Sequence, residues 1–423
     1  MDRLLCIYNA NAKQNYYNKK KKMKILMLGW ELPPHNSGGL GVACYQLCKS
    51  LANSGCDIEF ILPYDANHDI DFMTVTPAHP QGVEEIIKSG IAYDSYKYIY
   101  SDGTEQWVDI FGQQLAYEKS VDCMVDRMEF DVIHAHDWLT FRAAIRAKAK
   151  SNKPMILHIH SLEHDRAGGQ LGNPLVHEIE YIAMMMADRI IAVSNHTKKA
   201  IMREYDIPAD KIDVVHNSID PNMLEPLDGE NAYQYIEKMK QHGYKVVVNV
   251  GRLTIQKGLM NLLLATKEVV AREPKTLLLI VGTGEQYYEL IETAASLGIS
   301  KNVIFTGFLR GKQWRDVFAI SDLFVMPSVS EPFGLTPLEA VGYGTPSLIS
   351  RQSGVSEVLA NCLKVDFWDV DRMANDIVAV VRSPALRDEL HRNAYQEYQK
   401  LSWNNAAQQL IQRYSEYTNG VPI

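Results

Sequence analysis

Ile25-Leu26-Met27-Leu28 is apolar on both faces, as a strand buried in a parallel sheet must be, and it is followed by a stretch with Ala43, Leu47 and Leu51 at helical steps of four. Strand, loop and amphipathic helix in that order make the unit of a doubly wound α/β sheet. The unit repeats. Further strands read at Ile58 to Leu62, Val132-Ile133, Met155 to Ile159, Ile190 to Val193 and Ile212 to Val215. Between Asn217 and Tyr244 the pattern loosens into Pro221, Pro226, Gly229 and a charged helix, and Val246-Val247-Val248 then opens a second series. That series runs through Leu277 to Val281, Val303 to Phe305 and Leu323 to Met326.

The 423 residues exceed what one core usually serves, since cores split beyond roughly 250 to 300 residues. The expectation is therefore two Rossmann-like domains facing across a cleft at the carboxyl ends of their strands. The first takes residues 23–222 and is completed by a C-terminal helix at 404–423; the second takes 223–403. Residues 1–22, ending in the run Lys19 to Lys22, read as a dispensable extension, with a polybasic contact to anionic lipid as the functional alternative.

The net charge of −8 argues against a broad nucleic-acid surface, which needs many Lys and Arg to neutralise phosphates. Six scattered cysteines form no Cys-x-x-Cys pair, so neither a zinc ribbon nor a disulfide framework is suggested. Cys44 and Cys48 read as reduced packing residues. No apolar run reaches the length of a spanning helix, and the first 22 residues lack the apolar centre of a signal peptide, so a cytoplasmic location is expected. The sequence assigns no oligomeric state.

The most informative segment is Glu331-Pro332-Phe333-Gly334-Leu335-Thr336-Pro337-Leu338-Glu339, which follows a strand and enters a helix. Backbone N–H groups at Gly334 and Leu335 would face a diphosphate at the positive end of that helix. Glu339 could accept from a ribose diol, and Glu331 could face sugar hydroxyls. Read without context, the same two acids are a dipole-stabilised helix start and a solvated helix face.

Other segments carry chemistry by type and place. Gly251-Arg252-Leu253-Thr254-Ile255-Gln256-Lys257-Gly258 follows the strand that opens the second series and offers two cations to a departing nucleoside diphosphate. Asn36-Ser37-Gly38-Gly39-Leu40-Gly41 lets backbone approach a phosphate at Gly38 and Gly39. It fails the dinucleotide fingerprint: Cys44 stands three beyond Gly41, and Leu62-Pro63 closes the second strand where an acid is needed. A dehydrogenase is thereby disfavoured. His134-Ala135-His136-Asp137-Trp138 ends one strand, with Asp137 either a sugar ligand or a helix cap and Trp138 either an apolar platform or core. His158-Ile159-His160 ends the next, and alternation puts both histidines on one side. The two His-x-His pairs lie on separate strands, which argues against a metal centre.

Together these segments resemble the retaining GT-B glycosyltransferases of family 4 and the related glycogen and starch synthases, over Met23 to about Tyr417. Glu331 to Glu339 is similar to their Glu-x7-Glu motif, Gly251 to Gly258 to their Gly-Arg…Lys-Gly element, and Gly38-Gly39-Leu40 to their glycine loop. Many of those enzymes carry a lysine where this chain has Asn36. The resemblance implies catalytic roles for His160, Glu331, Arg252 and Lys257. It implies donor contacts for Gly38, Gly39, Asp137, Gly282, Gly284, Phe333, Gly334, Leu335 and Glu339, the pair Gly282 and Gly284 lining the base pocket. The reaction implied is transfer of a hexosyl group, glucosyl before others, from a nucleotide sugar such as ADP-glucose or UDP-glucose to a carbohydrate acceptor, an α-glucan in the glycogen synthase-like case. No cofactor and no metal are expected. The alternatives are a lipid-linked, polysaccharide-repeat or small-molecule acceptor, or a non-catalytic nucleotide- or glycan-binding relic. A phosphorylase of the same fold would need a pyridoxal phosphate lysine, and no segment supplies one.

Overall fold

The computed structural model describes residues 22–36, 38–88 and 95–418, so the expected N-terminal extension lies outside the described residues apart from Lys22, as do Ser37 and residues 419–423. Among the described residues, sixteen strands form three sheets. In chain order they are β1 Lys24–Leu28, β2 Asp57–Leu62, β3 Thr74–Pro77, β4 Val83–Lys88, β5 Tyr96–Tyr100, β6 Glu105–Val108, β7 Val132–His136, β8 Met155–Ile159, β9 Arg189–Ala192 and β10 Ile212–Val214. The second half adds β11 Lys245–Val250, β12 Thr276–Val281, β13 Val303–Gly307, β14 Leu323–Met326, β15 Ser347–Ser350 and β16 Leu363–Val365.

The first large sheet has the order β10-β9-β8-β7-β1-β2-β3 and the second β13-β12-β11-β14-β15-β16. Every pairing in both is parallel. Strand order reverses beside β1 in one sheet and beside β11 in the other, and a crevice opens outside the carboxyl ends at each such point. The two crevices face each other. This is the GT-B arrangement, two Rossmann-like units across a cleft.

The apolar strands fold this way because both faces are covered. Ile25 to Leu28 are buried beneath the helix Gly39–Asn53, which turns Ala43, Cys44, Leu47, Cys48 and Leu51 inward. The five described cysteines are free thiols. The helix Trp403–Tyr417 packs against Gly39–Asn53 and inserts Ala407, Leu410 and Tyr414 into the core of the first sheet. Its start is capped by Ser402, whose hydroxyl accepts from the Asn404 backbone N–H. Where this return crosses the helix Gly39–Asn53 it leaves a polar cavity of about 440 Å³, lined by Lys49, Asp220 and Trp403 among others.

The alternating series predicts no strands over residues 83–108, where three form. The antiparallel sheet β4-β5-β6 occupies the stretch between β3 and the helix Ile110–Val125. Its Tyr96 hydroxyl accepts from the Trp30 indole at 2.9 Å, tying the small sheet to the loop after β1.

Candidate active site

Every loop that leaves a carboxyl end near the two reversal points reaches one cleft of about 480 Å³. Twelve of the thirteen residues singled out from sequence line it: Gly38 and Gly39 after β1, Asp137 after β7, His160 after β8, Arg252 and Lys257 after β11, Gly282 after β12, and Glu331, Phe333, Gly334, Leu335 and Glu339 after β14. Gly284 does not. It sits behind the lining, where a β-carbon would lie 2.3 Å from the Leu253 carbonyl, and its role is close backbone packing between two loops.

Gly282 serves the same junction from inside the cleft. Its φ is +132°, and an added β-carbon would stand 1.9 Å from the Gly251 carbonyl oxygen. Gly251 N–H donates to Val281 at 3.0 Å and Leu253 N–H to Thr283 at 2.9 Å, so the loops after β11 and β12 lie backbone on backbone.

The ionic centre is Lys257 with Glu331, whose Nζ and Oε2 are 2.5 Å apart. Glu331 is buried, and its Oε2 also accepts from the Ser328 hydroxyl at 3.1 Å. Its backbone is pinned on both sides, its N–H donating to Gln352 and its carbonyl accepting from Gly354, each at 2.9 Å. Gln256 ties the Lys257 turn to the same loop by donating to the Ser330 carbonyl at 3.0 Å. The Gly334 backbone lies in the left-handed region at φ +94°, which only glycine adopts without cost. The helix that follows is short, Thr336–Gly342, and no side chain caps its start. Glu339 lies within this helix and its carboxyl is pushed up to about 7 by burial, opposed by a hydrogen bond from Trp314.

From the first sheet, Asp137 presents a strained backbone, φ 58° and ψ 169°, a region that costs a non-glycine residue about 1 to 3 kcal/mol. It makes no side-chain cap to the helix Trp138–Ser151. Its Oδ1 instead accepts the backbone N–H of His160 at 2.7 Å and of Ser161 at 3.3 Å, so it fixes the loop that carries His160. Burial pushes its carboxyl up to about 7, against the pull of Arg166 and those two N–H groups. Trp138 is core: it is buried against Phe111, with Arg166 over its ring.

The four histidines converge, because β7 and β8 are neighbours and place His136 opposite His158. Separation in sequence does not keep them apart in space, which corrects that part of the argument against a metal centre. One ring nitrogen from each of His134, His136 and His158 lies within 4.8 Å of the others, and Cys44, His136 and His160 form a similar group. Burial holds the His134, His136 and His158 imidazoles well below their ordinary range and His160 down to about 3. All four are neutral at physiological pH.

Further residues complete the cleft. Arg310, after β13, donates across it to the Pro34 carbonyl at 2.7 Å and the Asn36 carbonyl at 3.5 Å, and its guanidinium lies 5.1 Å from the Phe308 ring centroid. Trp314 and Glu31 line the cleft as well. Asn36 turns its amide to the Gly38 carbonyl at 2.9 Å. A cation following a predicted strand was the one available hint for Arg310; only the fold shows what it reaches.

The two halves of the chain match two family models, "Glycosyltransferase Family 4" over residues 37–223 and "Glycosyl transferases group 1" over residues 235–397. An uncharacterized glycosyltransferase, MJ1607 of Methanocaldococcus jannaschii, is 30% identical over 401 residues, 93% of this chain and 98% of that one. A glycogen synthase of Mycobacterium tuberculosis is 27% identical over 402 residues, 93% of this chain and 94% of the relative. Among solved structures, Anabaena HepE in complex with UDP and glucose superposes with a TM-score of 0.67 at 20% identity, covering 93% of this chain and 100% of that chain. Fold, motif order and a relative matched along nearly its whole length agree, and the chain belongs to the family 4 glycosyltransferases of the GT-B fold.

Proposed function

We propose that the chain transfers a hexosyl group, glucosyl before others, from a nucleotide sugar to a carbohydrate acceptor with retention of configuration, an α-glucan being the acceptor that fits the glycogen synthase-like segments. The observation that carries this is the meeting, in one cleft, of Lys257, Arg252, Glu331 and Glu339 from the second sheet with Asp137 and His160 from the first. Glu339 takes the ribose diol, and the loop Phe333 to Leu335 borders the diphosphate. Arg252 and Lys257 meet the charge that grows on the leaving diphosphate. Lys257 exchanges partner on donor binding, from Glu331 to phosphate, and Glu331 is freed for the sugar hydroxyls. No carboxylate stands as a separate nucleophile in this scheme; the leaving phosphate takes the acceptor proton on the face it departs from, and closure of the cleft excludes water.

UDP-glucose and ADP-glucose are the donors to try first, the UDP and glucose in HepE favouring the former. We take the two cations to replace a metal in donor activation and the reaction to run in the cytoplasm, in keeping with the free thiols. The test is thermal stabilisation by UDP, ADP and GDP, with and without their sugars, followed by the anomeric configuration of the product made in the presence of a chelator. Stabilisation by one nucleotide, lost in Lys257→Ala and Glu339→Ala, with a retained anomer, is expected. No stabilisation by any nucleotide overturns the reading, an inverted anomer overturns its mechanism, and loss of turnover in chelator overturns the metal-free scheme.

A further inference from the structure

His160 reaches the cleft from a layer of histidines that the transfer scheme does not otherwise use. His134 and His136 share one face of β7, and His158 and His160 the same face of β8, because side chains alternate along a strand. Two separate chains of contact result. In one, His134 Nδ1 lies 2.5 Å from the Tyr414 hydroxyl and its Nε2 lies 3.2 Å from His158 Nδ1. In the other, His136 Nε2 lies 3.1 Å from the Met27 sulfur and its Nδ1 lies 2.9 Å from His160 Nε2.

The second chain has a direction. A thioether sulfur carries no proton and can only accept, so the contact with Met27 requires the proton of His136 on Nε2. Burial keeps His136 neutral, which leaves its Nδ1 as a lone pair. That lone pair faces His160 Nε2 at 2.9 Å, a hydrogen bond only when His160 carries its own proton there. His160 is neutral too, so its Nδ1 is a bare lone pair. Among the described residues nothing hydrogen-bonds to that atom, and His160 lines the cleft.

We infer that Met27 and His136 are positioning residues that fix His160 as the Nε2–H tautomer, so that its Nδ1 meets the substrate as an acceptor and receives a hydrogen bond from a hydroxyl of the transferred sugar. The hydroxyl part of this rests on the proposed function; the tautomer does not. His160 in this state donates no proton to the reaction. A donor whose sugar lacks the hydroxyl at that place leaves a lone pair facing nothing, so the chain selects hydroxylated over deoxy sugars.

The experiment uses the full chain labelled with ¹⁵N-histidine, its His160 signals assigned by their loss in His160→Gln. Long-range proton–nitrogen correlation is expected to show His160 and His136 protonated on Nε2 and bare on Nδ1. Met27→Leu keeps the volume of the side chain but offers no acceptor. In that variant the two histidines are expected to shift toward mixed tautomers, with kcat falling about two- to tenfold and the donor KM changing less. A proton on His160 Nδ1 in the unsubstituted protein overturns the inference, as do signals that stay unmoved in Met27→Leu. If that variant does not fold, the spectrum of the unsubstituted protein decides alone. The spectrum needs no turnover, so a failed nucleotide screen would sink the transfer reaction without touching the tautomer.

Discussion

Lys257 and Glu331 hold each other at 2.5 Å, and Glu331 is buried. Lys257→Ala therefore removes a cation from the proposed diphosphate site and also strands a buried carboxylate. The expected loss is about 10²- to 10³-fold in kcat, the usual cost of one preorganised partner, measured by steady-state transfer assays. Glu339 is expected to make nucleotide-sugar binding depend on pH. With its carboxyl pushed up to about 7, it is largely protonated in mild acid and a poorer acceptor for a ribose diol. Affinity for a nucleotide sugar, whose diphosphate diester does not titrate there, is expected to rise as pH goes from about 6 to about 8, by calorimetry, and the dependence should vanish in Glu339→Gln. Stability moves the other way. Asp137 and Glu339 both have raised folded values, so the native state keeps protons that the unfolded chain releases; their contribution is full below about 4 and is lost as pH rises through about 7. Asp137→Asn should flatten that part of the denaturation profile.

At the scale of elements, the parallel strands were legible because burial on both faces leaves an uninterrupted apolar run, as in Leu277 to Val281. The sheet β4-β5-β6 was not, because its strands are mixed: Val83-Glu84-Glu85-Ile86 carries two exposed acids and Glu105-Gln106-Trp107 is exposed throughout. Only Tyr96-Lys97-Tyr98 alternates there, too short a run to mark a strand by its period. Turns behaved differently again. By resemblance the glycines at 282, 284 and 334 read as phosphate or base contacts, and in the structure Gly282 and Gly284 are where two loops touch. Gly334→Ala tests one such element. The left-handed backbone penalises alanine by about 1 to 2 kcal/mol, and its β-carbon would stand 3.1 Å from Glu331 Cγ. The expected outcome is a modest drop in melting temperature with a larger loss of nucleotide-sugar affinity, because the loop Phe333 to Leu335, proposed to border the diphosphate, would shift.

At the scale of the molecule, several contacts hold the two halves face to face. Arg310 reaches Pro34 and Asn36 on one side, Ser330 reaches Asp165 on another, and the Ser194 hydroxyl donates to the Pro332 carbonyl at 2.6 Å. At the junction the Glu357 carboxylate accepts the backbone N–H groups of Asn195 and His196 at 2.9 and 2.8 Å and pairs with His216 at 2.8 Å. Those partners outweigh its burial and bring its carboxyl down to about 2. Arg310→Ala removes a contact that spans the cleft mouth without disturbing either core. Its expected effects are a larger radius of gyration by X-ray scattering in the nucleotide-bound state and a higher ratio of donor hydrolysis to transfer, since in the proposed scheme closure keeps water out. Removing residues 403–423 acts on the first unit although it follows the second, because Leu410 and Tyr414 fill the first core; loss of that unit's cooperative unfolding transition is expected by calorimetry.

Local pattern was enough to read the two series of buried strands, the glycine and cation loops placed after them, and the Glu331 to Glu339 segment, because strand burial and loop chemistry are properties that a run of residues carries wherever it is. The sequence also identified twelve cleft residues without showing which faced which. The tertiary structure alone decided the pairings: Lys257 with Glu331, Asp137 with the His160 backbone, Arg310 with Pro34, and Met27 through His136 to His160. These partners lie from 23 to 276 positions apart in the chain and meet only because sheet order and domain apposition bring their strand ends together. Proton position, strain and perturbed acidity follow from those meetings, and no local pattern encodes them.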